Sequence, residues 1–446
     1  MRENRTAQAS IFDFYSQHEF GDFLAGLSCL LDDHPEILKL VEGDLVTAGA
    51  QPTGRKGLAV ESIFRCLLLK QITGVSYEML AFHLSDSLSY RTFARLDRDC
   101  RPGKSALQAN IRRMTPATLQ AVFETLSVKA FAQGTIEIDL LRLDSSVVKS
   151  NIAPPLDSQL LDDGIRVLSR YFAKSGCRTG VKLRLTDYRS ASRSLSARIF
   201  YGKKAEKESW YKELIPLARR VIEQSRKAIA QMAEQCRSKA VAQRWIEEVS
   251  YFRDLLEQVI NQTERRVFHG EQVPASEKLV SLFEPHTDII IKGQRDIDYG
   301  HKINLASDKR GLITAVMIEE GNPKDAERFI PLLEIHESLY GCLPTTTIAD
   351  GGYASKENVA NGKALGVKRV AFHKKNGLTL RAMGVQRKTL EKLRHFRAGI
   401  EGNISELKRA FGAAKALWKG KDGFMAFVWS SLISYNLTRW VRLDTG

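Results

Sequence analysis

YGHKINLASDKRGLITAVMIEEG, residues 299–321, decides the fold. It reads as two short runs of apolar and β-branched residues, 299–308 and 311–321, the composition of adjacent strands. Working outward, HTDIIIKG (286–293) supplies a strand before them, and KDAERFIPLLEIHESLYG (324–341) has the apolar spacing of a helix. TTTIADGGY (345–353) is a further strand, followed by a short helix around 356–365 and a strand at VKRVAFHK (367–374). A long helical region then runs from about Thr389 to Ala416. Antiparallel strands followed by alternating helices and strands describe a mixed α/β sheet.

Upstream, TIEIDLLRLDSSVVKSNI (135–152) has the same strand-like character. Between it and residue 286 lies a highly charged helical block, 155–268, which interrupts the strand pattern and reads as an insertion. Charges on such helices are usually a solvated face. The N-terminal part is helical and punctuated. GLAVESIFRCLLLKQITG carries apolar residues at helical spacing and is closed by Gly74, Ser76 caps the next helix, and KSALQANIRRM (104–114) ends in Arg112 and Arg113. Short helices with tight turns and basic ends fit a helix-turn-helix-like bundle that docks on DNA. The expected organisation is a helical DNA-binding domain over 1–130, a catalytic sheet domain over 131–155 and 285–442, and a helical insertion over 156–284.

The 446 residues, 43% hydrophobic, are enough to bury a sizeable core. A formal net charge of +15 points to a polyanionic partner, because Lys and Arg neutralise phosphates and release counterions. Charge alone does not identify a reaction. The six cysteines are scattered with no C-x-x-C pair, which argues against a zinc site or disulfide framework and for reduced thiols. The N-terminal MRENRTAQASIFDFYSQHEF lacks a signal peptide's apolar run. FMAFVWSSLISYNLTRW (424–440) is too polar for a membrane span and reads as a buried helix. The protein is therefore expected in the cytoplasm, associated with the nucleoid, with no membrane partner.

Three carboxylates stand where phosphoryl-transfer chemistry needs them: Asp144 in RLDSSVVKSN, Asp350 at the end of TTTIADGGY, and Glu401 in RHFRAGIEGNISELKRAF. Gly351 and Gly352 after Asp350 let the backbone turn sharply and let DNA approach closely. Arg397, Glu401 and Lys408 are separated by four and seven residues, which puts them on one helical face at about 100° per residue. A glutamate flanked by cations suits an ion site beside a phosphate backbone. The bland alternative is an i,i+4 Arg–Glu pair on a solvated helix. Asp139 lies on the same apparent strand as Asp144, and spacing alone does not choose between them.

These blocks together resemble the DDE transposases of bacterial insertion sequences, whose catalytic domain is RNase H-like. More narrowly they resemble the branch whose last helix carries Y-x2-R-x3-E-x6-K. Arg397, Glu401 and Lys408 match R, E and K, while Arg394 stands at the tyrosine position. LDSSVVKSNI matches the first-aspartate block, which favours Asp144 over Asp139, and IADGGYAS matches the second. LLLKQITGVSYEMLAFHLSDSLSYRTFARL resembles the N-terminal domain of the same proteins, so the likeness runs from about residue 57 to about 440.

The resemblance implies an RNase H-like mixed sheet with flanking helices, and a catalytic and metal-holding trio of Asp144, Asp350 and Glu401. It implies Mg²⁺, with Mn²⁺ as substitute and two ions, for cleavage at the element's ends and transfer of the freed 3′-OH into target DNA. Double-stranded DNA and a homodimer on it are the expected partners. Arg397, Lys408, Lys374, Lys375, Arg112 and Arg113 are the expected DNA contacts. His301, His373, Lys302 and Asn304 rank lower as site-lining groups, and Asp308 and Asp325 have no constellation to support them. Asp162 and Asp163 read as acids at a helix N-terminus, and Trp418 as core. Two other classes compete: a transposase-derived DNA-binding protein without catalysis, and a simple metal-dependent nuclease.

Overall fold

The computed structural model describes residues 15, 17–46, 57–97, 99–292, 296–374 and 377–445. The chain divides into two compact units, Met1–Ser150 with Gly300–Gly446, and Asn151–Tyr299, each with its own hydrophobic core.

The first unit begins with helices α1 (Glu19–Asp32), α2 (Glu36–Leu45), α3 (Val60–Thr73), α4 (Tyr77–Asp86), α5 (Leu88–Ala94), α6 (Lys104–Ile111) and α7 (Pro116–Ala132). Local signals set their ends. Gly74 adopts φ +66 and stops α3, and the Ser76 hydroxyl caps α4 by accepting from the Met79 N–H at 3.1 Å. Thr115 caps α7 with Pro116 in its first turn. Helix α3 is buried nearly all round, charges included. Its Arg65 pairs with Glu61 at 3.0 Å and Asp32 at 2.9 Å and donates to Ser28 Oγ, so the buried cation is compensated rather than stranded. The chain then enters strand β1 (Leu140–Ser150).

The second unit holds α8 (Asp157–Ala173), α9 (Ser175–Thr179), α10 (Arg189–Tyr201), α11 (Lys204–Gln235) and α12 (Lys239–Val267), then β2 (Asp288–Lys292). Leu161, Ile165, Leu168 and Phe172 recur at helical spacing on α8 and bury against α11 and α12. Gly164 permits close approach: a Cβ there would lie 2.7 Å from Leu256 Cδ1. The helix begins at Asp157, so Asp162 and Asp163 lie beyond its first turn. Asp162 instead accepts from Ser192 Oγ, and Asp163 pairs with Arg166.

The remaining elements are β3 (Asp296–Ser307), β4 (Ile313–Ile318), α13 (Phe329–Tyr340), β5 (Thr346–Ala349), α14 (Lys356–Ala364), β6 (Arg369–Phe372), α15 (Leu380–Met383), α16 (Arg387–Ala410), β7 (Lys415–Ala416) and α17 (Lys421–Thr445). The seven-stranded sheet has the order β2–β3–β1–β5–β6, with β4 also paired to β3 and β7 beside the far end of β1. Strand β1 runs antiparallel to β3 and parallel to β5, and β5 parallel to β6. An antiparallel meander continued by two parallel strands is the RNase H-like order. Leu141, Arg142 and Leu143 are all buried, as expected of a central strand covered on both faces.

Helix α16 ends at Ala410, earlier than the sequence suggests, because Gly412 takes φ +76 and the chain turns into β7. The polar residues of α17 are satisfied internally. Asn436 bridges the N–H and C=O of Ile313 at 2.9 and 2.7 Å, Tyr435 donates to the Gly311 carbonyl, and Ser431 accepts from Gln71. No described helix is long and apolar enough to cross a membrane.

Candidate active site

Register brings the first two carboxylates together. Leu143 on β1 pairs with Ala349 on β5, so Asp144 and Asp350 are the next residues on neighbouring parallel strands. Asp350 lies at the carboxyl end of β5, where α/β sheets commonly carry functional groups. Helix α16 packs on β1, β5 and β6 and brings in the third. Its Arg397 Nη2 is 2.8 Å from Asp144 Oδ2 and 3.3 Å from Asp350 Oδ1, and its Nη1 is 3.2 Å from Glu401 Oε1. One guanidinium therefore meets all three acids. The pair Arg397–Glu401 is more than an exposed i,i+4 contact, since the arginine side chain is only 10% exposed.

Accessibility grades across the trio, from Asp144 at 13% through Asp350 at 39% to Glu401 at 65%. Burial raises the pKa of Asp144 above the usual carboxylate value. Arg397 and the Ser145 N–H, which donates to Oδ1 at 2.8 Å, oppose that shift, and the charge of Asp350 adds to it. Arg397 Nε is buried with no partner among the described residues, a donor left over beside the acids.

The helix is held at a defined depth. Buried Arg142, two residues before Asp144, donates from Nε to Ser307 Oγ at 2.9 Å and from Nη1 to the Phe396 carbonyl at 2.9 Å, and lies over the Phe396 ring. A Cβ on Gly399 would fall 2.1 Å from Arg142 Nη1, so only glycine admits this approach. Gly399 sits midway between Arg397 and Glu401. Arg394, at the tyrosine position of the resembling branch, donates from Nε to the His373 carbonyl at 2.9 Å and ties α16 to the end of β6. Asn403 reaches Ser307 Oγ and the Gly311 carbonyl.

Behind the trio lies a polar network that the sequence did not announce. Lys302 pairs with Asp325, which also accepts from Ser145 Oγ at 3.3 Å. Tyr353 donates to Asn304 Oδ1 at 2.5 Å, Asn304 donates to Glu319 Oε1 at 2.7 Å, and Arg328 holds the other Glu319 oxygen at 2.8 Å. Burial, with Asp325 and Asp144 nearby, drives the Tyr353 phenol well above its ordinary pKa, so it stays a donor. Asp325 comes from the turn before α13, and only the fold puts it next to Asp144; local sequence held no signal for it. The two glycines after Asp350 serve this packing. A Cβ on Gly352 would lie 2.7 Å from Asp325 Oδ2, and one on Gly351 3.0 Å from Lys374 Cβ. The backbone does turn here, in a single 3-10 turn over Gly351–Tyr353 with the Tyr353 N–H on the Asp350 carbonyl at 3.1 Å, but neither glycine takes a positive φ.

Among the expected DNA contacts, exposed Lys374 sits beside Gly351 and hence by Asp350, while Lys375 lies outside the described residues. Lys408 is half-buried two turns beyond Glu401 on α16. Arg112 and Arg113 occupy the α6–α7 turn, where Arg112 approaches the Lys419 carbonyl at 3.4 Å. Asp139 precedes β1 and accepts from Thr345 Oγ1, apart from the Arg397 contacts. His301 is buried against Phe424 with Nδ1 3.0 Å from the Glu319 carbonyl, a structural role. Asp308 accepts backbone N–H groups from Glu137 and Leu312, and burial pushes it up to about 6. Trp418 is core, and the six cysteines form no disulfide among the described residues.

The three carboxylates offer the hard oxygen donors that a divalent cation takes. Among the described residues no three acidic, histidine or cysteine side chains already face a single point, and Arg397 stands among these acids as their counter-charge. The donor set fits a hard cation entering where that positive charge now sits.

A sheet of this order, with carboxylates on its central strand, after the neighbouring parallel strand and on the helix that follows, defines the class of RNase H-like nucleases and transposases. Two family models match the chain: Transposase DDE domain over residues 291–437, and Transposase domain (DUF772) over residues 12–113. The chain is a DDE transposase of the insertion-sequence kind. Asp350, Arg397 and Glu401 fall inside the first match, whereas Asp144 lies between the two. No curated protein and no solved structure matches the chain significantly.

Proposed function

We propose that this transposase cuts DNA at the ends of its element and joins the freed 3′-OH to target DNA, using Asp144, Asp350 and Glu401. The convergence of the three acids on Arg397, from a strand, a strand end and a helix, carries this reading. In cutting, water attacks the end phosphorus, the bond to the 3′ oxygen breaks, and that oxygen takes up a proton. In joining, the 3′ oxygen attacks a target phosphorus, loses its proton to solvent, and a target 3′ oxygen leaves. A divalent ion, Mg²⁺ or Mn²⁺, held by these carboxylates would supply the charge that stabilises the attacking and leaving oxygens.

The chain's own residues do the rest. Asp144 must be ionised to act, and its neighbours Arg397 and the Ser145 N–H favour that form against its burial. Exposed Lys374 offers charge-assisted hydrogen bonds to the reacting strand's phosphates, and Arg397 adds positive charge beside them. Lys408 and the Arg112–Arg113 turn extend the same electrostatic grip. We assign end binding to the helices of 1–130 and chemistry to 131–155 with 285–442. Two ends must meet, so a homodimer on DNA is the working assembly.

The test is a plasmid carrying the gene's own flanking DNA, incubated with Mg²⁺, with EDTA, and with Asp350→Asn and Glu401→Gln proteins. Metal-dependent cutting and joining that both substitutions abolish is the expected result. Tight DNA binding with no cutting under any metal would leave a DNA-binding protein in place of the enzyme, and cutting without joining a nuclease.

A further inference from the structure

The second unit carries a basic surface that is only partly neutralised, with Arg178 paired to Glu248 at 3.6 Å and Arg189 to Asp187 at 2.6 Å. From Arg170 to Lys204 there are ten Lys and Arg against one acid, Asp187. That short segment holds a large share of the chain's net +15. Its backbone displays the charge. Residues 181–186 form a segment without regular secondary structure, with Val181 buried and Lys182, Arg184 and Thr186 exposed at every second position. Helix α10 adds exposed Arg193 and Arg198, and Lys203 and Lys204 open α11. Phe200 and Tyr201 pack edge to face beside them, and Tyr201 is 84% exposed.

Neighbouring helices of the same unit treat their charges differently. On α11 and α12, Lys212 pairs with Glu208 at 2.8 Å, Arg219 with Glu264 at 2.8 Å, Arg226 with Glu223 and Glu257 at 2.6 and 3.0 Å, and Arg244 with Glu248 at 3.6 Å. Those helices neutralise themselves, as solvated faces do. Lys182, Arg184, Arg198 and Lys203 have no carboxylate within ion-pair distance among the described residues. Concentrating like charge is unfavourable for the isolated protein. A polyanion removes that cost, and the gain is entropic, from released counterions.

We infer that the Arg170–Lys204 surface is a second DNA-binding site, gripping the phosphate backbone of duplex DNA without reading sequence. This deepens the transposase reading by assigning a substrate contact to the unit that interrupts the sheet. Lys and Arg with an exposed tyrosine hydroxyl are the groups that contact phosphates, and the surface offers no ordered set of amides to read base edges.

The experiment uses the full chain. Lys182, Arg184, Arg198 and Lys203 are changed together to Gln. A control changes Lys212, Arg219, Arg226 and Arg244 to Gln, giving the same change in net charge. Binding to a duplex from the gene's flanking DNA, and to a scrambled duplex, is followed by fluorescence anisotropy across a KCl series. The first variant should lower the slope of log K against log salt by about 3, and weaken binding at least about tenfold on both duplexes. The control should leave the slope near that of the native protein. Equal slopes for variant and native protein overturn the proposal, as does an equal fall in the control. Loss of dimer with an unchanged slope overturns it too, in favour of a protein partner. Plasmid cutting by the native protein is scored separately, so a failed transposase reading with a lowered slope would leave this surface standing.

Discussion

Two glycines on one helix should respond oppositely to the same substitution. Gly399 and Gly402 both lie inside α16, and each would gain helix propensity of about 1 kcal/mol on becoming Ala. At Gly402 a Cβ meets nothing within 4 Å, so the gain survives: about 0.5–1 kcal/mol of stabilisation. At Gly399 the Cβ would sit 2.1 Å from Arg142 Nη1. That nitrogen is held by the Phe396 carbonyl and the guanidinium by Ser307, so it has no free direction in which to retreat. Overpacking of this kind costs about 1–3 kcal/mol. Losing one of the charged hydrogen bonds adds about 1.5–3 kcal/mol. Against the propensity gain of about 1 kcal/mol, Gly399→Ala should destabilise by about 1.5–5 kcal/mol. For a unit of this size each kcal/mol moves the melting temperature by about 2–4 °C. Thermal melts of both variants at pH 7 should therefore move in opposite directions, and cutting by Gly399→Ala should fall because Arg397 and Glu401 flank the displaced turn. If Gly399→Ala raised the melting temperature as much as Gly402→Ala does, Arg142 would not be what sets the depth of α16.

Other outcomes follow from the same contacts. Arg397→Gln leaves nearly buried Asp144 beside Asp350 without a counter-charge, and should cost about 2–4 kcal/mol in melts without divalent ion. Part of that loss should return on adding Mg²⁺, and no recovery would speak against a cation entering at this point. Lys302→Met should destabilise by a similar amount, about 2–4 kcal/mol, through unpaired Asp325, whereas Lys302→Met with Asp325→Leu should recover most of it; a double variant no better than the single would refute the pairing. Asp308 titrates near 6 when folded, above its ordinary 3.8, so between those values the folded state binds the extra proton. Its contribution should therefore fall as pH rises from about 4 to 6, and Asp308→Asn should flatten that part of the melting-temperature profile.

The linear sequence determined what neighbours in the chain can decide. Helix stops at Gly74 and starts at Ser76 are local hydrogen-bonding and backbone matters, and they stand where the residues put them. Strand and helix periods in 286–374 fixed a mixed sheet, and the Arg397–Glu401 spacing fixed one helix face. Tertiary structure alone decided the rest. The block LDSSVVKSNI already favoured Asp144 over Asp139, and the register of β1 against β5 sets Asp144 next to Asp350 while Asp139 precedes the strand and meets Thr345. Asp325 became a neighbour of Asp144 across a separation no local pattern spans. At Gly351, Gly352 and Gly399 the missing Cβ makes room for Lys374, Asp325 and Arg142, partners that the linear sequence does not show. The reason is physical: capping and periodicity act over a few residues, whereas register, burial and ion pairing join groups hundreds of residues apart, and they exist only once the sheet has closed around them.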